Sequence, residues 1–319
     1  MPIKKAKELD FSNKKIKMII AGFPGIGKST LGLSAPNPLH IDIDEGVDRV
    51  KAEHRKDTLV FSNFEEMSKD LIYYQKNGDL EQYETFVVDT GGKLLDIMKP
   101  VVIKENAQNG QRDGSLTMKG YGAIGQKFKG FMDFLISLGK HVVVIFHAKE
   151  DKDGDNIKLR IAVEGQTKDK IWEYMDLGGF MEMQGKNRTI GFSNCERYFA
   201  KGTHGISGTY EIPNLKDGEP NEFLTKLFET VIKDLQKSAE KFTKEQQDYQ
   251  NAMHLKVFVS NAKDAEQINK LLARIQEVPH ALTSEKELKG HLISKAKELG
   301  LVYDKEKKAF VESHGNPTK

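Results

Sequence analysis

Short apolar runs, each closed by a polar or glycine-rich break, set the architecture of this chain. The first, Ile16 to Ala21, runs into a glycine-rich turn, after which Lys28 to Ser34 reads as a helix start. The second, Pro38 to Ile43, ends among Asp42, Asp44 and Glu45, and a helical pattern follows from Phe64 to Lys76. The third, Thr85 to Val88, ends in Asp89. The fourth, His141 to Phe146, ends in His147 and follows Phe128, Phe131, Phe134 and Leu135, which recur at helical spacing. Strand-length apolar runs alternating with helices predict an α/β fold with a mainly parallel sheet, covered by helices on both faces.

From Lys149 to about Phe192 the texture shifts to short alternating segments with turn chemistry at Asp153-Gly154-Asp155 and Gly185-Lys186-Asn187, which predicts late β-hairpins. Glu222 to Gln250 is a lysine- and glutamate-rich helical pattern, and Asn251 to Phe310 reads as a small, mostly helical module of its own. The expected organisation is a basic leader over 1–15, an α/β core over 16–232, a helical linker over 233–250, a C-terminal module over 251–311 and a flexible tail over 312–319. No internal repeat or low-complexity block interrupts it.

Composition narrows the class. A chain of 319 residues with 38% hydrophobic and 30% charged residues can bury a sizeable core and keep a well-solvated surface. The net charge of +2 is too mild to indicate a nucleic-acid partner, since such binding depends on local basic clusters. A single cysteine, Cys195, excludes an intrachain disulfide and a cysteine-cluster zinc site. The amino-terminal segment lacks the apolar run of a signal peptide and no stretch is long enough to span a bilayer, so no membrane association and a cytoplasmic location are expected.

The strongest chemical signal is Gly22-Phe23-Pro24-Gly25-Ile26-Gly27-Lys28-Ser29, followed by Thr30. A triphosphate needs many donors converging on a small volume, and glycines let successive backbone N–H groups curl inward without a Cβ in the way. Lys28 adds charge for the β- and γ-phosphates, Ser29 offers a hydroxyl to Mg²⁺, Thr30 is a second hydroxyl nearby, and the helix starting there adds its dipole. With an apolar strand before it and a helix after it, the segment predicts a P-loop that binds ATP and Mg²⁺.

Asp89, at the end of Phe86-Val87-Val88, is the candidate carboxylate on the Mg²⁺ side, although an Asp ending a strand is also an ordinary turn residue. Hydrolysis needs a group to orient or deprotonate water, and Asp44 and Glu45 are the candidates, at the sheet edge where parallel α/β sheets bind ligands. A solvated acidic loop would read the same way, since Asp42 and Asp48 crowd the same segment. His147 ends the fourth run at that edge and is a candidate γ-phosphate sensor; a structural histidine is the plainer alternative.

In order, Gly22 to Thr30, Pro38 to Arg49, Val87-Val88-Asp89-Thr90, Gly120-Tyr121-Gly122 and Val142 to Glu150 resemble the phage nucleotide-binding proteins of the AAA-domain, RecA-like type. That group includes the ATP-dependent single-strand annealing proteins of bacteriophages, and the resemblance covers about residues 16 to 230. It implies a RecA-like P-loop NTPase core in which the strand after the cradle helix ends in a catalytic glutamate. An ungapped match puts Asp44 there and Glu45 one residue later, a departure from the pattern. It also implies that His147 links the γ-phosphate to a DNA-binding loop. Two loops, Lys104 to Lys119 and Lys149 to Lys170, would then bind single-stranded DNA. The first carries Lys104, Arg112 and Lys119; the second carries Lys149, Lys152, Lys158, Arg160, Lys168 and Lys170, with Trp172 just beyond. Asp151, Asp153, Asp155 and Asp169 dilute that charge, and a solvated hairpin has the same composition. A neighbouring subunit often supplies a cation in such homo-oligomers; Lys186, Arg188, Arg197 and Lys201 are candidates, none singled out.

The leading expectation is therefore an oligomeric ATPase acting on single-stranded DNA in phage recombination, in the host bacterial cytoplasm. The competing class is an ATP-dependent regulator or assembly factor that binds a protein partner through the C-terminal module. A small-molecule kinase, the third class, has no evident lid or acceptor motif here.

Overall fold

The computed structural model describes residues 10–153, 156–164 and 167–312. Most of the expected leader, the Gly154-Asp155 tip of the first expected hairpin and the expected tail beyond residue 312 lie outside the described residues. The chain forms two compact units, one spanning Ser12–Asp234 and one built from Leu235 onward, so that the division falls inside the long helix α6 (Phe223–Met253).

The larger unit is built on one sheet. Strands β1 (Lys17–Gly22), β2 (Pro38–Asp42), β3 (Thr58–Val60), β4 (Thr85–Asp89), β5 (His141–Asp153), β6 (Asn156–Ile161), β7 (Leu177–Gln184), β8 (Asn187–Gly191) and β9 (Thr209–Ile212) take the order β3-β2-β4-β5-β1-β7-β8-β9, with β6 paired to β5. From β3 to β7 every neighbour is parallel, and β8 and β9 add antiparallel to the β7 edge. This is the mixed α/β architecture of a P-loop NTPase. The β7–β8 turn falls at Gly185-Lys186 as the sequence predicts, and Gly185 has φ +62°, which the tight two-residue turn requires.

The helices α1 (Lys28–Gly32), α2 (Phe64–Asn77), α3 (Gly91–Glu105), α4 (Met118–Ser137) and α5 (Thr167–Glu173) connect these strands. Their starts follow from local side chains. Asn63 accepts the N–H groups of Glu65 and Glu66 to cap α2, Thr90 accepts from Lys93 to cap α3, and Thr117 accepts from Gly120 to cap α4. Phe86, Phe128, Phe146 and Phe180 are fully buried between sheet and helices. Each such ring contributes roughly 1.5–3 kcal/mol by leaving water, so the apolar runs that betray the strands also hold the layers together.

Three features depart from the sequence-based expectation. The fourth strand does not stop at Phe146; β5 runs on through His147 to Asp153 and pairs antiparallel with β6. The expected loop from Lys149 to Lys170 is accordingly a strand, a hairpin and the start of α5, because alternation continues past His147 and the ladder continues with it. The edge strand β3 is three residues long, too short to show a period. The smaller unit packs α7 (Leu255–Asn261), α8 (Ala265–Glu277) and α9 (Ser284–Glu298) around Leu255, Val259, Ile268, Ile275, Leu288 and Leu292. It also contains a hairpin, β10 (Leu301–Asp304) with β11 (Ala309–Glu312), that the mostly helical pattern gave no sign of.

His141 opens β5 from the interior. Its Nδ1 accepts the Ile16 N–H at 2.9 Å, and its ring stacks on Phe228 with centroids 5.0 Å apart. Burial, with a smaller push from Lys15, lowers its pKa from 6.5 to about 4. The folded pKa lies below the unfolded one, so the group has no effect above pH 6.5. Between 6.5 and about 4 the unfolded chain takes a proton that the folded chain refuses, and stability falls as pH drops. At 1.36 kcal/mol per unit the full loss is roughly 3 kcal/mol. Urea unfolding at pH 7 and pH 5 should therefore show a larger loss for the parent protein than for His141→Asn; equal losses would remove His141 as the cause.

Candidate functional site

The glycine-rich loop joins β1 to α1 at the carboxyl edge of the parallel strands, the edge where such sheets bind ligands. Gly25 and Gly27 hold φ +79° and +95°, which L side chains rarely adopt, so the loop's curl depends on these two glycines. Phe23 and Pro24 are exposed at its crest and Ile26 is half-buried below them. The helix that follows has only five residues, which makes its dipole a smaller contributor than the sequence suggested. Asn221 and Ser34 anchor it. The Asn221 Nδ2 donates to the Thr30 carbonyl at 2.7 Å, and the Leu224 N–H donates to the Ser34 hydroxyl at 3.0 Å.

Lys28 is buried at the centre, 5% exposed. Its ammonium donates to the Phe23 carbonyl at 2.9 Å, which ties the loop onto itself, and lies 3.2 Å from Nδ1 of His147. The sheet order explains the second contact. Strand β5 lies between β1 and β4, and His147 pairs with Gly22 in register, so the histidine leaves the sheet beside the loop. Burial lowers the Lys28 pKa, against the pull of Asp89 and Asp44. Burial and the Lys28 charge likewise lower that of His147, against the same two carboxylates. A neutral imidazole suits the contact, with Nδ1 accepting from the ammonium and the proton on Nε2.

The Ser29 hydroxyl donates to Oδ2 of Asp89 at 2.5 Å. Two hard oxygen donors in contact fit Mg²⁺, which takes one or two protein oxygens and completes its octahedron with phosphate and water. No group of three or more metal-binding side chains occurs among the described residues. Behind Asp89 lies His40, fully buried in β2 and not singled out in the sequence, whose Nε2 is 3.5 Å from Asp89 Oδ2. That nitrogen makes no hydrogen bond. A histidine inside an apolar run two positions before Asp42 was its only trace in the sequence.

The acidic cluster after β2 separates into three roles. Asp42 is buried and accepts the N–H groups of Gly46 and Val47 at 3.1 and 2.9 Å, so it builds the turn. Asp44 pairs with Arg49 at 3.2 Å and lines a cavity of about 330 Å³ with His147, Thr90, Lys93, Lys99 and Tyr121. Glu45 is exposed with φ +51° and makes no side-chain hydrogen bond or ion pair with a described residue. Lys28, Ser29, Asp89, His147 and Asp44 thus converge, and Glu45 stands apart.

A second cavity, of about 590 Å³, opens beside Gly27, Thr30, Arg188, Tyr210 and Asn214. It shares no lining residue with the one that holds Asp44 and His147. Of the four cations considered as subunit fingers, Arg188 lies on the loop itself. Arg197 pairs with Glu182 at 3.0 Å, Lys186 occupies the β7–β8 turn, and the Lys201 backbone bonds with Gly178.

The basic segments are tied into the fold. Lys104 lies in the last turn of α3 and pairs with Glu65 at 3.0 Å, and Lys119 lies in the first turn of α4, bonded to Gln108 at 2.8 Å. Arg160 and Lys168 share Asp151 at 3.4 and 3.7 Å. Trp172 is 9% exposed, with its ring against Phe199 at 5.1 Å, so it contributes to the core more than to the surface.

A family model described as an AAA domain matches residues 14–204, more than half of the chain. No curated protein matches it.

The separation of the two acidic candidates gives a direct test. Asp44→Asn should lower ATP turnover by about 10² or more, the usual contribution of a positioned proton acceptor, and Glu45→Gln should leave steady-state turnover near the parent value. The reverse ranking would return Glu45 to the site.

Proposed function

The chain belongs to the AAA-domain family of nucleotide-binding domains, and we propose that it is a RecA-like, Mg²⁺-dependent ATPase whose nucleotide state controls its hold on single-stranded DNA. The observation that carries the reading is the course of β5. One strand presents His147 to the Lys28 ammonium and then continues without a break into the hairpin that bears Lys149, Lys152, Lys158 and Arg160. A change at the phosphate end of β5 is therefore mechanically connected to a basic surface element.

The residues divide the work by position. The backbone N–H groups of the loop and the Lys28 ammonium hold the phosphates, and Ser29 with Asp89 would hold Mg²⁺. ATP, when bound, supplies the phosphoryl group to be transferred to water. Asp44 faces the cavity on the His147 side and would orient that water or take its proton. Lys28 has two partners to give up, the Phe23 carbonyl and His147. When its ammonium turns to phosphate oxygens, Nδ1 of His147 loses a donor and the imidazole is released to bond elsewhere, which moves the root of the hairpin. The resemblance to phage single-strand annealing proteins supports a homo-oligomer acting in phage recombination, with the hairpins as the strand-binding elements.

A second reading has its own observation. The unit from Leu235 onward has a separate apolar core and a cavity of about 480 Å³ lined by Leu272, Leu292, Ile293, Val302 and Tyr303. A protein partner seated there would make the chain a nucleotide-dependent regulator or assembly factor.

ATP turnover of the parent and of Lys28→Ala, each with single-stranded oligonucleotide, with duplex and with no DNA, separates the two. Stimulation by single strands, absent in Lys28→Ala, is the expected result. Turnover indifferent to DNA would favour the regulator. His147→Ala should keep ATP binding within a few-fold of the parent while removing the effect of ATP on oligonucleotide affinity, measured by anisotropy; a parent-like ATP effect would sever the proposed link.

A further inference from the structure

Four lysine or arginine cations border the larger cavity beside the loop, Arg49, Lys51, Arg188 and Lys226. Three are neutralised. Arg49 pairs with Asp44 at 3.2 Å, Lys51 with Asp217 at 3.4 Å and Glu53 at 3.7 Å, and Lys226 with Glu222 at 3.3 Å. Among the described residues no carboxylate lies within ion-pair distance of Arg188. Its one side-chain bond, from Nη2 to Oδ1 of Asn214 at 2.9 Å, goes to a neutral amide and leaves most of the guanidinium's five donors uncommitted.

Its position is as specific as its charge. A Cβ built on Gly27 would fall 2.8 Å from Nη1 of Arg188, so the guanidinium lies against the loop at the residue just before Lys28. Arg188 reaches this place from β8, which hangs on β1 through β7 in the same chain. The Asn214 contact ties down one nitrogen of the guanidinium.

We propose that Arg188 is a phosphate ligand supplied in cis: it binds non-bridging oxygens of the α- or β-phosphate from the cavity side of the loop, while Lys28 serves the opposite end. The chemical class that matches a fixed, unpaired guanidinium is a nucleoside di- or triphosphate, because its planar fork takes two phosphate oxygens at once. This rests on the nucleotide-binding reading of the loop and is independent of DNA. It differs from a subunit finger in two ways: the cation belongs to the same chain as the loop, and it acts on phosphates that ADP retains.

Calorimetric titration of the full chain with Mg²⁺–ADP and with a non-hydrolysable Mg²⁺–ATP analogue tests it. Arg188→Ala should weaken both ligands by a similar factor, roughly tenfold to a hundredfold, as expected for loss of a charge-assisted contact. Arg188→Gln, polar but uncharged, should weaken both to a comparable degree, and Arg188→Lys should recover part of the affinity. Arg197→Ala is the charge control and should bind as the parent does. Parent-like affinity of Arg188→Ala for both ligands would overturn the proposal, as would a loss confined to the triphosphate analogue. Restored turnover on mixing Arg188→Ala with Lys28→Ala chains would overturn it too, since only a cation acting in trans is complemented that way. A parent chain that bound neither nucleotide would sink the reading of the loop itself, whereas a binding parent with an unimpaired Arg188→Ala removes only this proposal.

Discussion

A buried ammonium has to be surrounded by acceptors, and Lys28 meets that demand with two neutral ones, a carbonyl of its own loop and the imidazole of His147. The choice matters. A carboxylate in direct contact would hold the charge more tightly and compete with phosphate for it. Neutral acceptors satisfy the ammonium at lower electrostatic strength and release it at lower cost, and the depressed pKa of Lys28 records that burial outweighs the nearby carboxylates. The contact exists because β5 is threaded between β1 and β4. With β1 directly beside β4, Asp89 would stand next to the loop and His147 would be one strand removed.

The same threading orders the rest of the edge. Ser29 reaches across to Asp89, His40 backs Asp89 from the next strand, and the segment after β2 hangs on the Asp89 carbonyl, which accepts the N–H groups of Ile43 at 2.7 Å and Asp44 at 3.2 Å. Asp44 is thus placed by backbone bonds to the residue that holds Ser29. The Asp42 carboxylate, turned inward onto Gly46 and Val47, closes the turn behind it. One strand order and one turn bring donors from four segments to a single edge.

What could be read in the sequence follows the range of the forces involved. The loop, Asp89 and the parallel strands were legible because each is written in contiguous residues: apolar runs, glycines at set spacing, an acid at a strand end. His147 was legible as a strand-end residue, but its bond to Lys28 was not, since that depends on strand order. The end of β5 was misplaced because a polar, charged continuation looks like a loop until a partner strand supplies its hydrogen bonds, and β6 supplies them from Asn156 to Ile161. Asp44 and Glu45 are neighbours in a crowded acidic segment, and composition cannot rank them; the backbone does, by turning Glu45 to φ +51° and out to solvent.

Arg188 is the clearest case of a residue that only three dimensions could select. Lys186, Arg188, Arg197 and Lys201 are similar as letters, all basic and all within one late hairpin region. Lys186 occupies the β7–β8 turn and Arg197 is drawn away to Glu182, whereas Arg188 on β8 lies against Gly27. The antiparallel strands β8 and β9 therefore do more than extend an edge. A sheet of parallel strands alone would leave the cavity flank of the loop walled by helices and connections; the hairpin returns the chain along that flank and sets a rigid, strand-borne guanidinium against Gly27. A cation on a strand pays less conformational entropy on meeting a phosphate than one on a mobile loop, and here one of its nitrogens is already tied down by Asn214. Charge at both flanks of the loop, Lys28 within and Arg188 without, is then a consequence of where the sheet changes direction.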